Sequence, residues 1–254
     1  MSELTEFKNF SKILTRASSG IIKTYFGTKV SVESKLDNSP VTIADKKAEE
    51  VMRELILKQF PDHGIIGEEF GVINPDAEYT WVLDPIDGTK SFICGAYSFG
   101  TLIALLKNGN PIIGVYNHPI LNDYLIGDNV DTTINGKKTL VRICNKISNA
   151  VLLTTDHLNI EKYQNIDKFN QLINKVKIYR NWGDCYGYYL LATGFADIMI
   201  DPVMSPWDIL PLIPIIKGAG GVITDYQGNN PVKGKSAVAS SPEIHSEIIS
   251  LLNN

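Results

Sequence analysis

Apolar residues near the start of the chain recur with the period of a helix. Three- and four-residue spacings connect Leu4, Phe7, Phe10, Leu14, Ala17, Ile21 and Tyr25. Similar spacings, after Thr42 and before Pro61, connect Ala48, Val51, Met52, Leu55 and Ile56. The pattern therefore predicts one amphipathic helix over residues 4–26 and a second that follows Thr42, with Asp45 in its first turn.

From Gly64 the pattern changes to short apolar runs, which are typical of strands. These runs are GIIG, TWVLD, FGTLIALL, NPIIGVYN and DYLIG. The KNGN and INGK stretches predict tight turns between antiparallel strands, because Asn-Gly tolerates the positive φ angles that such turns need. We therefore expect helices packed on a meandering sheet in this half of the chain.

Beyond about residue 136, strand and helix patterns alternate. The predicted strands are AVLLTTD, KVKIYR, ADIMID, GVITD and SAVAS, and the predicted helices start near Asp167, at YYLLATG, at ILPLIPIIKGAG and near the C-terminus. Such alternation is typical of an α/β unit. The sequence thus predicts an α/β protein with an α+β N-terminal half, residues 1–135, and an α/β C-terminal half, residues 136–254, which share a cleft.

Composition narrows the class of protein. With 254 residues, 44% of them hydrophobic, the chain can bury a full core. A formal net charge of −4 with scattered basic residues gives no general attraction to nucleic acid or to anionic membranes. The N-terminus has no basic segment followed by an apolar one and no stretch reaches the length of a membrane span, so we expect a cytoplasmic protein. The three cysteines form no CxxC pair, which predicts neither a disulfide framework nor a zinc site.

Several carboxylates fall at the ends of the predicted elements. They are Glu68 and Glu69 after GIIG, Asp84 and Asp87 in WVLDPIDGTKSF, and Asp208 before ILPLIPII, with Asp45 and Asp201 as a second tier. Carboxylates at the ends of buried strands repel one another unless a cation lies between them, and oxygen ligands alone favour Mg²⁺. The alternative interpretation of each motif alone stays open, since DPIDG is also a turn sequence and a Glu pair is usually solvated.

Four short motifs occur in a recognisable order. They are GEE at 67–69, DPIDGT at 84–89, WD at 207–208 and GAGG at 218–221. Together they resemble the signature set of the inositol monophosphatase superfamily of Mg²⁺-dependent, lithium-sensitive phosphatases. The resemblance extends from VTIADKKAEE at 41–50 through GGVITD at 220–225. It implies a layered αβαβα sandwich, a small phosphate monoester as substrate and a homodimer.

The resemblance also implies a role for each matching residue. Two or three Mg²⁺ ions would be held by Glu68, Asp84, the backbone carbonyl of Ile86, Asp87 and Asp208. Thr89 with Asp45 would orient the attacking water, and Glu69 would act from close by through a bound water. Gly88, Thr89 and Lys90 would open a helix that receives the phosphate. For Lys90 the alternative is a solvated lysine in the first turn of that helix.

The identity of the monoester is a separate question. The stretches DPIDGTKSFICG, RNWGDCYGYYLLATG and WDILPLIPIIKGAGGVITD are most similar to the histidinol-phosphate phosphatase branch of the superfamily. This likeness predicts hydrolysis of histidinol phosphate in histidine biosynthesis, with Asp184 and Asp201 as partners for the cationic end of the substrate. The alternative for Asp184 is a helix N-cap, and for Asp201 a turn before Pro202.

Other functions stay open from the sequence. Inositol 1-phosphate is the alternative substrate, followed by a nucleotide 3′-phosphate. A relative that keeps the fold but only binds metal or phosphate is a further possibility. We favour the enzyme, because a chain without activity would usually have lost Thr89, Asp87 or another acidic ligand, and all of them are present.

Overall fold

The structure, a computed structural model, describes residues 3–29, 32–34 and 40–254. Its helices are α1 (Glu3–Tyr25), α2 (Ile43–Gln59), α3 (Thr89–Ile93), α4 (His157–Tyr163), α5 (Ile166–Ile173), α6 (Asp184–Ala192), α7 (Pro206–Gly218) and α8 (Pro242–Asn253). Its strands are β1 (Val32–Ser34), β2 (Pro40–Thr42), β3 (Gly64–Gly67), β4 (Gly71–Ile73), β5 (Tyr79–Asp87), β6 (Gly100–Lys107), β7 (Asn110–His118), β8 (Asp123–Gly127), β9 (Thr132–Ile134), β10 (Lys137–Lys138), β11 (Val151–Thr154), β12 (Ile178–Arg180), β13 (Ile198–Asp201), β14 (Val222–Thr224) and β15 (Ala237–Ser240). In the part of the chain so described, no helix combines the length and apolar character needed to cross a membrane.

The large sheet has eight strands in the order β10-β9-β8-β7-β6-β5-β3-β4. Its neighbours pair antiparallel, except that β3 runs parallel to β5. Asn108 and Gly109 have φ angles of 47° and 76° in the turn between β6 and β7, and Asn135 and Gly136 have φ angles of 49° and 80° between β9 and β10. The two Asn-Gly hairpins and the meandering sheet are therefore confirmed.

The small sheet has five strands in the order β12-β11-β13-β15-β14. Strand β11 pairs parallel with β12 and β13, whereas β15 pairs antiparallel with β13 and β14. The alternation of strands and helices predicted for this half is confirmed. Helix α4, which begins at His157, was not predicted, because its seven residues are too few to show a period.

Alternating side chains on β5 separate the two faces of the large sheet. Trp81 and Leu83 pack in one cluster with Phe7 of α1 and Met52 of α2. Val82, between them, packs in another cluster with residues of α6 and α7. Because successive side chains of a strand point to opposite faces, this sheet lies between two helical layers.

The small sheet has the same two-sided arrangement. Ile198 packs in a cluster with Phe169 of α5 and Ile244 of α8. Met199, the next residue, packs with the cluster formed around α6 and α7. The layers are therefore α1 and α2, the large sheet, α6 and α7, the small sheet, and α4, α5 and α8, which confirms the αβαβα sandwich.

Helix α7 lies directly against the large sheet, although it follows the strands of the small one in sequence. A Cβ at Gly114 of β7 would lie 1.9 Å from the carbonyl oxygen of Pro211. The Thr132 hydroxyl donates a 2.7 Å hydrogen bond to the carbonyl of Ile215. Because these contacts fix α7 on the sheet, they also fix the position of its first turn.

The division of the chain near Asn135 stays a prediction.

The close approach at Gly114 leads to a prediction about stability. Gly114→Ala places a methyl group 1.9 Å from backbone of α7, so the helix and the sheet must move apart. We expect the free energy of unfolding, measured in urea, to fall by about 1–3 kcal/mol. Gly20→Ala is the control, because nothing lies within 4 Å of its Cβ position in α1 and alanine favours a helix by about 0.5–1 kcal/mol. Equal effects of the two substitutions would contradict this account.

Candidate active site

Three carboxylates from different parts of the chain meet where β5 ends and α7 begins. Asp84, Asp87 and Asp208 each offer a carboxylate oxygen, and these oxygens all lie within 4.8 Å of one another. Asp84 is 2% exposed. We call these three residues the carboxylate triad. A group of this kind can hold a hard divalent cation, because all of its ligand atoms are carboxylate oxygens.

A bulge in β5 explains how two residues three positions apart reach the same site. Asp84 pairs with Leu102 of β6, and Asp87 pairs with Gly100. Between these two pairs, β5 contains one residue more than β6. In a regular strand the two side chains would point to opposite faces. The extra residue puts both carboxylates on one side of the sheet. The DPIDG stretch is thus a strand bulge rather than a turn that ends the strand.

The electrostatics of the triad favour the binding of a cation. Burial, followed by the charges of Glu68 and Asp87, raises the pKa of Asp84 well above its ordinary value. Burial and then the charge of Asp208 raise the pKa of Asp87 to about 7. The Oδ1 atom of Asp84 is buried without a hydrogen-bond partner among the described residues. A cation would satisfy this oxygen and relieve the repulsion.

Asp208 is held in place by the start of its own helix. Its Oδ2 atom accepts a 2.7 Å hydrogen bond from the backbone N–H of Ser205, in a capping box that opens α7. Burial raises the pKa of Asp208 to about 7, although this backbone hydrogen bond opposes the shift. The cap therefore fixes the direction of the carboxylate while burial destabilises its charge.

Glu68 reaches the same site from the end of β3. Its backbone N–H donates a 3.2 Å hydrogen bond to the carbonyl of Leu83, the residue before Asp84. The carbonyl of Ile86, in the bulge, accepts a 3.1 Å hydrogen bond from the Thr89 hydroxyl. Glu69 lies next to Glu68 and donates its backbone N–H to Glu49 Oε2 at 2.8 Å. The structure thus brings together the carboxylates of Asp84, Asp87 and Asp208, and Glu68 lies near enough for its charge to raise the pKa of Asp84.

Asp45 lies nearby in the first turn of α2. It is 1% exposed, and its Oδ2 accepts hydrogen bonds from the backbone N–H and the hydroxyl of Thr42 at 2.8 and 2.6 Å. Burial raises the pKa of Asp45 to about 6 in spite of these bonds. Asp45 and Thr89 are not hydrogen-bonded to each other, because Thr89 donates to Ile86. Their joint role in orienting a water stays a prediction.

Gly88 forms the predicted opening of a helix after the bulge. Its φ angle is +86° and it is the N-cap of α3, which begins at Thr89. A Cβ at this position would lie 2.7 Å from the Ser98 carbonyl oxygen and 3.1 Å from Asp184 Oδ2. Glycine is therefore required at residue 88 both by the positive φ angle and by the close approach of Ser98 and Asp184. Lys90 is exposed in the first turn of α3.

Asp184 and Asp201 form an acidic wall beside the triad. Asp184 has a left-handed φ of 50°, and its backbone N–H donates to the Thr155 hydroxyl at 2.8 Å. The N-cap of α6 is Gly183, so the alternative interpretation of Asp184 as the cap is wrong. Asp201, 4% exposed, accepts from Thr155 N–H at 3.2 Å and from the Tyr188 hydroxyl at 3.0 Å. Burial raises the pKa of both carboxyls.

One cavity is lined by both residues of the wall and by two residues of the triad, Asp87 and Asp208. It is lined by Asp87, Thr155, Asp156, Asn159, Asp184, Asp201, Pro202, Val203, Met204 and Asp208. Sequence reasoning missed Thr155, Asp156 and Asn159. A signal was available, since TTD follows the apolar run AVLL and the carboxyl ends of parallel strands form ligand sites. This signal identifies the three residues only when β11 is known to lie beside β13, and the structure supplies that pairing.

Comparison with known proteins gives consistent matches along the chain. The sequence model of the inositol monophosphatase family matches residues 3–254. The chain is 46% identical, over 94% of its length and 70% of the relative's, to the "Bifunctional phosphatase IMPL2, chloroplastic" of Arabidopsis thaliana. It is 37% identical to a "Histidinol-phosphatase" of Chlorobaculum parvum, with 91% and 90% of the two chains covered. The structure of an inositol monophosphatase from Zymomonas mobilis matches with a TM-score of 0.89 and 34% identity over 100% of both chains.

The raised pKa values give a pH-dependent prediction for the protein without metal. Folding raises the pKa of Asp87 from 3.8 to about 7, so its contribution to stability is present at low pH and is lost as the pH rises through 7. Asp87→Asn cannot ionise. In EDTA we therefore expect the variant to have the higher Tm at pH 8, by about 5 °C, and a smaller advantage at pH 5.

The control for this measurement is Asp76→Asn, which removes an exposed carboxylate. Its Tm difference from the unmodified chain should stay flat between pH 5 and pH 8. Differential scanning fluorimetry measures all three proteins. If the Tm difference between Asp87→Asn and the unmodified chain does not grow with pH, ionisation of Asp87 does not destabilise the fold.

Proposed function

The chain belongs to the inositol monophosphatase family, and we propose that it is a Mg²⁺-dependent phosphatase that hydrolyses histidinol phosphate to histidinol and phosphate. The observation that carries the proposal is the carboxylate triad with the unpartnered, buried Asp84 Oδ1. A hard cation would relieve the repulsion at such a site, and an acidic wall lies beside it in one cavity.

The proposed metal ligands are Glu68, Asp84, the Ile86 carbonyl, Asp87 and Asp208. Two or three bound Mg²⁺ ions would supply charge neutralisation for the phosphate and a water of lowered pKa. The protein's own contribution is to hold these oxygens in fixed directions. Backbone N–H groups do so for Asp208, through Ser205, and for Asp87, whose Oδ2 accepts from Cys185. Glu69 is proposed to act from the next position, through a bound water.

The remaining proposed roles follow from the same geometry. Asp45, with a pKa of about 6, is largely ionised at neutral pH and can accept a hydrogen bond from the attacking water, together with Thr89. Gly88 and Thr89 offer backbone N–H groups at the start of α3 to the phosphate. Lys90 is exposed close by and can meet a phosphate oxygen.

The acidic wall supports a cationic substrate. Histidinol phosphate carries an ammonium group and an imidazole, whereas inositol phosphate carries only neutral hydroxyls beyond its phosphate. A cation beside Asp184 and Asp201 would offset the cost of burying these two carboxylates. The Chlorobaculum relative supports the same substrate. Inositol phosphate is the second candidate, because the Zymomonas relative is an inositol monophosphatase.

Three further properties belong to the proposal through the family. We expect inhibition by Li⁺, a homodimer in solution and a cytoplasmic location. A homodimer can be tested by light scattering, independently of the activity. None of the residue roles above depends on it.

Metal dependence is the first activity test. Phosphate release should be absent in EDTA and restored by Mg²⁺, and Li⁺ should inhibit it. Asp208→Asn removes one anionic ligand without changing shape, so turnover should fall by about 100-fold or more while the fold survives. Asp76→Asn is again the matched surface control. Full activity in excess EDTA would contradict the proposal.

Substrate identity is the second test. Replacing Asp184 or Asp201 by Asn removes a charge-assisted contact, so kcat/KM for histidinol phosphate should fall about 10- to 150-fold. Hydrolysis of glycerol 2-phosphate, which lacks a cation, should fall far less. A folding defect would lower both rates together. If the unmodified enzyme prefers inositol 1-phosphate and both variants keep that preference, inositol phosphate replaces histidinol phosphate as the substrate.

A further inference from the structure

We infer that Glu49 is a positioning residue, which sets the direction of Glu68 by binding the backbone of the turn that carries it. We call residues 67–70 the acidic turn. The inference rests on the role proposed above for Glu68 as a metal ligand. It adds a residue of α2 that belongs to none of the four signature motifs.

The Glu49 carboxylate is buried and bonded to the acidic turn at two points. It is 0% exposed. Its Oε2 accepts the backbone N–H of Glu69 at 2.8 Å, and its Oε1 accepts the backbone N–H of Phe70 at 3.1 Å. Hydrogen bonds to an ionised acceptor are about twice as strong as neutral ones. The two residues that follow Glu68 are therefore fixed to α2.

Arg53 completes the arrangement on the same face of α2. Its Nε donates to Glu49 Oε1 at 2.8 Å, and its Nη2 donates to the carbonyl of Gly71 just beyond the turn. The guanidinium thus balances the buried charge of Glu49. At the other end of the turn, a Cβ on Gly67 would lie 2.0 Å from Glu49 Oε1. The carboxylate therefore fits against the turn only because residue 67 is glycine.

The backbone of Glu68 is held from both sides as a result. Its own N–H is bonded to Leu83 of β5, and the next two N–H groups are bonded to Glu49. Asp45 lies four residues before Glu49, one turn away on the same face of α2. One helix face therefore sets the positions of both Asp45 and Glu68 relative to the triad.

Apolar packing contributes little to holding the acidic turn in position. Phe70, at the end of the turn, is 50% exposed, and Val72 and Ile73 of β4 are 56% and 38% exposed. Strand β4 is also the edge of the large sheet. Because so little apolar surface is buried here, polar contacts hold the turn in place, and the buried Glu49 carboxylate makes two of them.

The test is Glu49→Gln, measured by metal binding as well as by activity. Glutamine has the same size, but it offers a single carbonyl oxygen and turns an N–H₂ group toward one of the two backbone donors. The dissociation constant for Mn²⁺, measured by calorimetry, and the Mg²⁺ concentration for half-maximal activity should both rise about 10-fold. At saturating Mg²⁺, kcat should recover to within about 3-fold. The control is Glu50→Gln, which removes the same charge from the exposed neighbour and should change neither quantity.

A second variant covers the case in which Glu49→Gln does not fold. Gly67→Ala keeps both charged residues but pushes a methyl group against Glu49 Oε1 and Arg53 Nη2, and it should weaken Mn²⁺ binding in the same way. A purely structural role would lower the Tm and the active fraction without moving the metal midpoint, and that result would overturn the inference. If the unmodified chain binds no Mn²⁺, the proposed metal site itself is wrong. If both variants bind Mn²⁺ normally, the positioning role of Glu49 is wrong, but the proposed metal site is kept.

Discussion

Repulsion among buried carboxylates is the constraint around which this site is built. Asp84, Asp87 and Asp208 have oxygens within 4.8 Å of one another, and burial and the charges of neighbouring carboxylates keep the pKa values of all three raised. Left to relax, such side chains would turn away toward water. They are kept together because each belongs to a segment fixed by other contacts: the bulge of β5 for the first two, and the packing of α7 on the large sheet for the third.

The contacts that oppose this repulsion come mostly from backbone N–H groups. Ser205 donates to Asp208, Thr42 to Asp45 and Cys185 to Asp87. The first two are helix caps, whose usual effect is to stabilise the end of a helix. Here the same hydrogen bond also aims a carboxylate at the site, so helix stability and site geometry depend on one contact. This dual use explains why an acidic site can be rigid although its charges destabilise it.

Much of the fold could be predicted from local pattern, whereas the site depended on which strands are neighbours. The periods of residues 4–26 and of the runs TWVLD and FGTLIALL were enough to predict α1, β5 and β6. The motifs indicated Asp84, Asp87 and Asp208, whose carboxylates lie together. The bulge could not be predicted, because it is a difference in residue count between two strands. Glu49 was missed because a glutamate on a helix usually faces solvent. Asp184 was predicted as a site residue, but its left-handed conformation was not, because that conformation depends on tertiary contacts.

The two sheets make separate contributions to the cavity. The triad lies on β5 of the large sheet and on α7, which packs on it, whereas Asp201 and Thr155 stand at the ends of β13 and β11 in the small sheet. The start of α6 joins the two, because Asp184 N–H donates to Thr155 and Cys185 N–H donates to Asp87. Residues at the ends of β11 and β13 therefore contribute to the acidic wall, whereas β5 and α7 carry the carboxylates of the triad. This separation gives a physical reason why relatives with one fold can act on different phosphate esters.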